Sequence, residues 1–98
     1  MKKKNLVSII MNCHNGEEYL NKAINSIIKQ SHKNWELIFF DNSSKDRSAE
    51  IVKSYKDKRI KYFKSRFVRL GVARKMALKL CKGDYLTFLD TDDFWNKN

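Results

Sequence analysis

The sequence predicts an α/β fold: an open parallel sheet of strand order 3-2-1-4 with helices on both faces. Three observations lead there. Short, almost continuous apolar runs alternate with stretches whose apolar residues recur at helical spacing, in the order β-α-β-α-β-α-β, which calls for parallel strands joined by crossover helices. The third run is the least apolar, broken by Lys61, and belongs at a sheet edge. Right-handed crossovers leave few other topologies, and the chosen order reverses the direction of growth between the first strand and the fourth.

Each element has its own warrant. "LVSIIM" (6–11) reads as a strand buried on both faces. In "NGEEYLNKAINSIIKQ", Leu20, Ala23, Ile24, Ile27 and Ile28 form one apolar stripe on a helix of about four turns. Glu17 and Glu18 in its first turn and Lys29 in its last suit the helix dipole. "WELIFF" (35–40) is a second buried strand, and the polar turn after it leads to a helix burying Ile51, Val52 and Tyr55. "RIKYF" (59–63) is the third strand. Val72, Met76 and Leu80 line one face of a third helix, with Ala73 and Ala77 beside them and Gly83 ending it. "YLTFL" (85–89) is the fourth strand; strands one, two and four are expected inside the sheet or covered.

Ninety-eight residues, 42% apolar and 33% charged, make one small globular domain without repeats, low-complexity tracts or proline. No apolar run reaches the roughly 20 residues of a membrane span, and the start is too polar for a secretory signal. The expected location is therefore cytoplasmic. Cys13 and Cys81, without paired spacing or zinc partners, read as free thiols. The net charge is +10, with 12 of the 21 Lys and Arg residues between Lys53 and Lys82. That balance points to a polyanionic partner or to a solvated basic surface.

In open parallel sheets, ligands bind beyond the carboxyl ends of the strands where the order reverses. That crevice is expected between "NCHNG" (12–16), after strand one, and "DTDD" (90–93), after strand four, with "DNSS" (41–44) alongside. In extended chain, Asp90 and Asp92 point to one side with Cα atoms about 6–7 Å apart. Carboxylates converging there, Asp93 included, stay ionised cheaply only around a cation. Hard oxygen donors favour Mg2+ or Mn2+, ions that keep positions open for substrate phosphates. Asp41 either closes its own turn or reads a ligand's base or ribose. Asp46 reads as an N-cap or first-turn residue of the second helix. His14 lies in the crevice loop and His32 in a solvated linker, while Trp35, Phe94 and Trp95 are core or interface residues.

"VSIIMNCHNGEEYLNKAINSIIKQSHKNWELIFFDNSSKD" together with "GDYLTFLDTDD" resembles the nucleotide-sugar-binding half of the family 2 glycosyltransferases, over residues 6–95. The resemblance implies a Rossmann-like GT-A fold, truncated here, and an inverting transfer from a nucleoside-diphosphate sugar, UDP-linked, to a saccharide or lipid-linked acceptor. It implies that Asp41 bonds the base, that the turn of Asn12, Cys13, His14 and Asn15 lines base and ribose, and that Arg74 faces phosphate. Asp90, Asp92 and Asp93 would form the ribose-diphosphate and Mn2+ or Mg2+ motif, with the direct ligand left open between the last two.

Departures stand beside the match. Asp41-Asn42-Ser43 has one acid where the family often has two; Ala73-Arg74-Lys75 lacks the usual asparagine, and Arg69 takes another. The catalytic base of such enzymes follows the acidic motif, so the chain is expected to be a donor-binding fragment without transfer activity of its own. Its basic surface would suit the inner face of an anionic membrane, and the open edge of strand four would suit a homo-oligomer. Two rivals remain: a haloacid-dehalogenase-like phosphotransferase using the Asp-x-Asp pair, and a basic nucleic-acid-binding module. The first wants its motif on the first strand; the second wants stacking aromatics among its cations, and no specific nucleic acid is expected.

Overall fold

The computed structural model describes residues 3–66 and 68–89. Strand β1 (Lys3–Cys13) leads to helix α1 (Glu17–Lys29), β2 (Trp35–Asn42), α2 (Ser48–Lys53), β3 (Ile60–Ser65), α3 (Leu70–Leu78) and β4 (Gly83–Phe88). All pairings are parallel and the order is β3-β2-β1-β4, as expected from the sequence. Strand β1 runs longer than its apolar stretch. Its first residues are irregular, with Asn5 at φ 61° and a register shift against β4 between Lys3 and Val7.

The reversal of growth sorts the helices. Chain growth from β1 to β3 places α1 and α2 on one face, where Leu20, Ala23, Ile24, Ile27 and Val52 pack on Ile9, Met11, Leu37 and Phe39. Return to the far side of β1 carries α3 over the opposite face, onto Ile10, Ile38 and Phe40. Every residue of β2 is buried, including Glu36, Asp41 and Asn42.

Three expectations need correcting. Helix α3 seats Ala73 and Ala77 on the sheet, while Val72 and Met76 are 46% and 39% exposed. Two methyl groups bring the helix backbone close to Ile10 and Ile38, and the larger side chains are left outside. Gly83 does not end α3, which stops at Leu78; it is the first residue of β4. A Cβ there would fall against the Leu6 carbonyl and 2.7 Å from the Ser8 hydroxyl, so close approach of two strands is what requires glycine. Strand β4 is neither interior nor covered among the described residues: Tyr85, Leu86 and Phe88 are 60%, 45% and 45% exposed, because β1 alone flanks it and α3 lies over β1 and β2.

A buried charge ties the sheet together away from the predicted crevice. Glu36 accepts from the Ser8 hydroxyl (2.6 Å), the Lys82 N–H (2.6 Å) and the Lys61 ammonium (2.9 Å), and Ser8 in turn accepts from the Gly83 N–H (2.8 Å). Residues from β1, β2, β3 and the position just before β4 meet at this carboxylate. Burial would raise its pKa; the hydrogen bonds from Ser8, Lys82 and Lys61 outweigh that and hold it below the ordinary 4.5. Nearby, the Arg59 guanidinium lies 3.9 Å from the Trp35 ring and forks onto Asp57.

Candidate functional site

The carboxyl ends of β1 and β2 lie side by side, Asn12 paired with Phe40 and Cys13 with Asp41. The turns that leave them are laced into one unit. Asn15 takes the left-handed conformation (φ 55°), as does Ser43 (φ 56°), at a cost of about 1 kcal/mol or more each for residues with a Cβ. Side chains from the facing turn hold both. The Asn15 N–H donates to the Ser44 hydroxyl (2.9 Å), and the Asn15 amide oxygen accepts from the Lys45 N–H (2.7 Å).

That second bond fixes the amide orientation, so the Asn15 NH2 faces His14 Nε2 at 3.3 Å, where the ring nitrogen accepts. His14 Nδ1 then carries the proton and donates to the Asn42 carbonyl (2.7 Å). Asn42 spends its own side chain on the loop before α3, accepting from the Val68 N–H (2.8 Å) and donating to the Val68 carbonyl (2.7 Å).

Asp41 has no exposed surface. One carboxylate oxygen accepts from the Ser44 N–H (2.9 Å), the other from the Tyr62 hydroxyl (2.5 Å). The bond to Ser44 closes the turn, the first of the two roles open to it in the sequence. Burial, and then the Asp41 carboxylate, push the Tyr62 phenol far above its ordinary value, so the hydroxyl remains a donor. Cys13 is buried with its sulfur 3.8 Å from the Ser44 hydroxyl, and burial pushes the thiol up. Asn12 carries a buried amide oxygen with no hydrogen-bond partner among the described residues.

Asp46 does more than cap its own helix. One oxygen accepts from the Ser48 N–H (2.9 Å), the other from the Glu17 N–H at the start of α1 (3.1 Å), and the Ser48 hydroxyl accepts from the Gly16 N–H (3.0 Å). The loop after β2 thus caps the helix after β1. Burial opposes ionisation of Asp46, and the bonds from Ser48 and Glu17 overcome it, holding the carboxyl below its usual range. Tyr62, Ser44 and Ser48 were not singled out by sequence, because the side chain of each acts through a partner at least 21 positions away.

Arg74 is exposed, its guanidinium 5.6 Å from the Phe88 ring, at the end of β4 where the acidic segment begins. Asp90, Asp92 and Asp93 lie outside the described residues, as do Phe94 and Trp95. Among the described residues no group of three His, Cys, Asp or Glu side chains could hold a metal ion, so the fit rests on donor chemistry: three hard carboxylates suit Mg2+ or Mn2+. Among the described residues no helix is long and apolar enough to cross a membrane.

Comparison with known proteins bears on this geometry. The family model described as "Glycosyl transferase family 2" matches residues 8–98. An uncharacterized glycosyltransferase of Haemophilus influenzae is 47% identical over 92 residues, which are 91% of this chain and 37% of that protein. The UDP-Glc:alpha-D-GlcNAc-diphosphoundecaprenol beta-1,3-glucosyltransferase WfgD of Escherichia coli is 39% identical over 94 residues, 95% of this chain and 37% of that protein. The crystal structure of S. aureus TarS 1-349 matches with a TM-score of 0.87 and 31% identity over 99% of this chain and 29% of that one. Its complex with UDP-GlcNAc matches with a TM-score of 0.81 and 30% identity, over 99% and 28%. The chain spans a little over a third of the length of the two curated relatives.

Proposed function

Because the chain belongs to glycosyltransferase family 2, we propose that it forms the donor-binding part of an inverting glycosyltransferase acting from a UDP-sugar. The observation that carries this reading is the bonded pair of turns, 12–16 and 41–48, at the carboxyl ends of β1 and β2 beside the reversal of strand order. The likeness to TarS, crystallised with UDP-GlcNAc, supports it over nearly the whole chain.

In this reading His14 and Asn15 present the turn to base and ribose, and Asn12 offers its unpaired amide oxygen to a ligand donor. Asp41 supports the turn from beneath and keeps acceptor capacity on both oxygens for a base donor. Arg74 stands where a diphosphate would meet the acidic segment. Asp90, Asp92 and Asp93 are the residues for Mn2+ or Mg2+, which when bound would offset charge on the departing nucleoside diphosphate. The base that deprotonates the acceptor hydroxyl belongs to the further length that relatives have.

Two partner surfaces belong to the same reading. The basic surface of the chain suits the inner face of an anionic membrane, in keeping with a lipid-linked acceptor such as the one in the name of WfgD. The apolar β4 edge takes a second copy; Leu86→Lys should then abolish concentration-dependent association in sedimentation, and a wild-type chain monomeric at high concentration removes that contact.

Calorimetric titration of UDP and UDP-sugars, with and without Mn2+, tests the central claim. Metal-dependent binding lost in Asp92→Asn is expected. A folded wild-type chain that binds no nucleotide overturns it.

A further inference from the structure

We infer that Tyr62, on the outermost strand, is a positioning residue that sets the conformation of the turn at residues 12–15. The inference rests on the donor-site reading only for its effect on nucleotide binding; the mechanical link stands on the contacts alone.

The link has three steps. The Tyr62 ring is fixed first, stacked on Phe39 at 5.8 Å and 17° with the Lys53 ammonium 4.6 Å over its centroid. Its hydroxyl then donates to Asp41, a carboxylate with no exposed surface that also accepts from the Ser44 N–H. A buried carboxylate needs its donors, and losing one leaves an oxygen without compensation for lost water. The Ser44 N–H bond closes the turn in which Ser43 is left-handed, and the Ser44 hydroxyl accepts from Asn15, the left-handed residue of the opposite turn. Asn15 in turn sets His14. A hydroxyl on β3 therefore reaches the crevice loop through Asp41 and Ser44. One strained backbone position in each turn, Asn15 and Ser43, makes the bonded pair sensitive to the loss of any one bond.

Tyr62→Phe removes one oxygen and keeps the stacking on Phe39. In the ligand-free 98-residue chain, the amide NMR signals of Ser44 and Asn15 should move, with Ser44 exchanging about tenfold faster. The amides of Leu37 and Ile38 should hold, as should most of the melting temperature. Ser44→Ala should move Asn15 while leaving the bond between Asp41 and the residue-44 N–H, which checks the direction of the link. UDP affinity should fall about five- to tenfold in Tyr62→Phe. Unmoved Ser44 and Asn15 signals in Tyr62→Phe overturn the inference, as does a wild-type UDP affinity in that variant. A wild-type chain that binds no UDP sinks the donor-site reading instead, and the amide signals still decide whether Tyr62 holds the turn.

Discussion

At the scale of single residues, Asp46 carries two helix starts on one carboxylate. Asp46→Ala should lower stability by about 1–2 kcal/mol, read as a fall in melting temperature, with partial recovery in Asp46→Asn, which keeps an acceptor oxygen. A melting temperature unchanged in the alanine variant would remove the shared cap. The local half of this role was legible, since an acid two positions before a helix reads as its cap. The half that serves α1 was not, because it depends on β1 and β2 lying in register. Asp41 repeats the lesson. Its turn-closing bond to Ser44 spans three positions and could be read along the chain, whereas its bond to Tyr62 spans 21 and required strand pairing.

At the scale of elements, α3 separates hydrophobicity from burial. Ala77 is fully buried against the sheet and Met76 is exposed. Ala77→Leu should therefore destabilise by about 1–3 kcal/mol through overpacking, while Met76→Gln should stay within about 0.5 kcal/mol. Denaturant melts of the two variants distinguish this seating from its reverse. Sequence periodicity placed the helix but weighted its larger side chains, and only the closeness of helix to strand decides for alanine. One edge was easier to read. Lys61 breaks the apolar run and marks β3 as a terminating edge, the structure puts β3 there, and exposed Lys64 adds a charged guard against further pairing. Strand β4 carries Tyr85, Leu86 and Phe88 without such a guard.

At the scale of the whole molecule, Glu36 joins β1, β3 and the residue before β4 to its own strand, from partners 25, 28 and 46 positions away. Nothing in "WELIFF" distinguishes that glutamate from a surface charge at a strand start, so the clasp was illegible before the strands were paired. Glu36→Gln should cost about 2–3 kcal/mol at neutral pH. Because the folded carboxyl titrates below its ordinary 4.5, its stabilisation is full above that value and is lost as pH falls through it toward the folded pKa. Melting curves of wild type and Glu36→Gln should accordingly converge in acid, and parallel curves would exclude the clasp as their cause. The same hydroxyl that feeds Glu36, on Ser8, waits for a donor 75 residues later, the Gly83 N–H. During synthesis at about 5–20 residues per second, β1 therefore spends roughly 4 to 15 s with one flank open. Nascent chains arrested before Gly83 emerges should be cut readily by protease, and chains arrested after Phe88 has emerged should resist: an early strand waits on a late one.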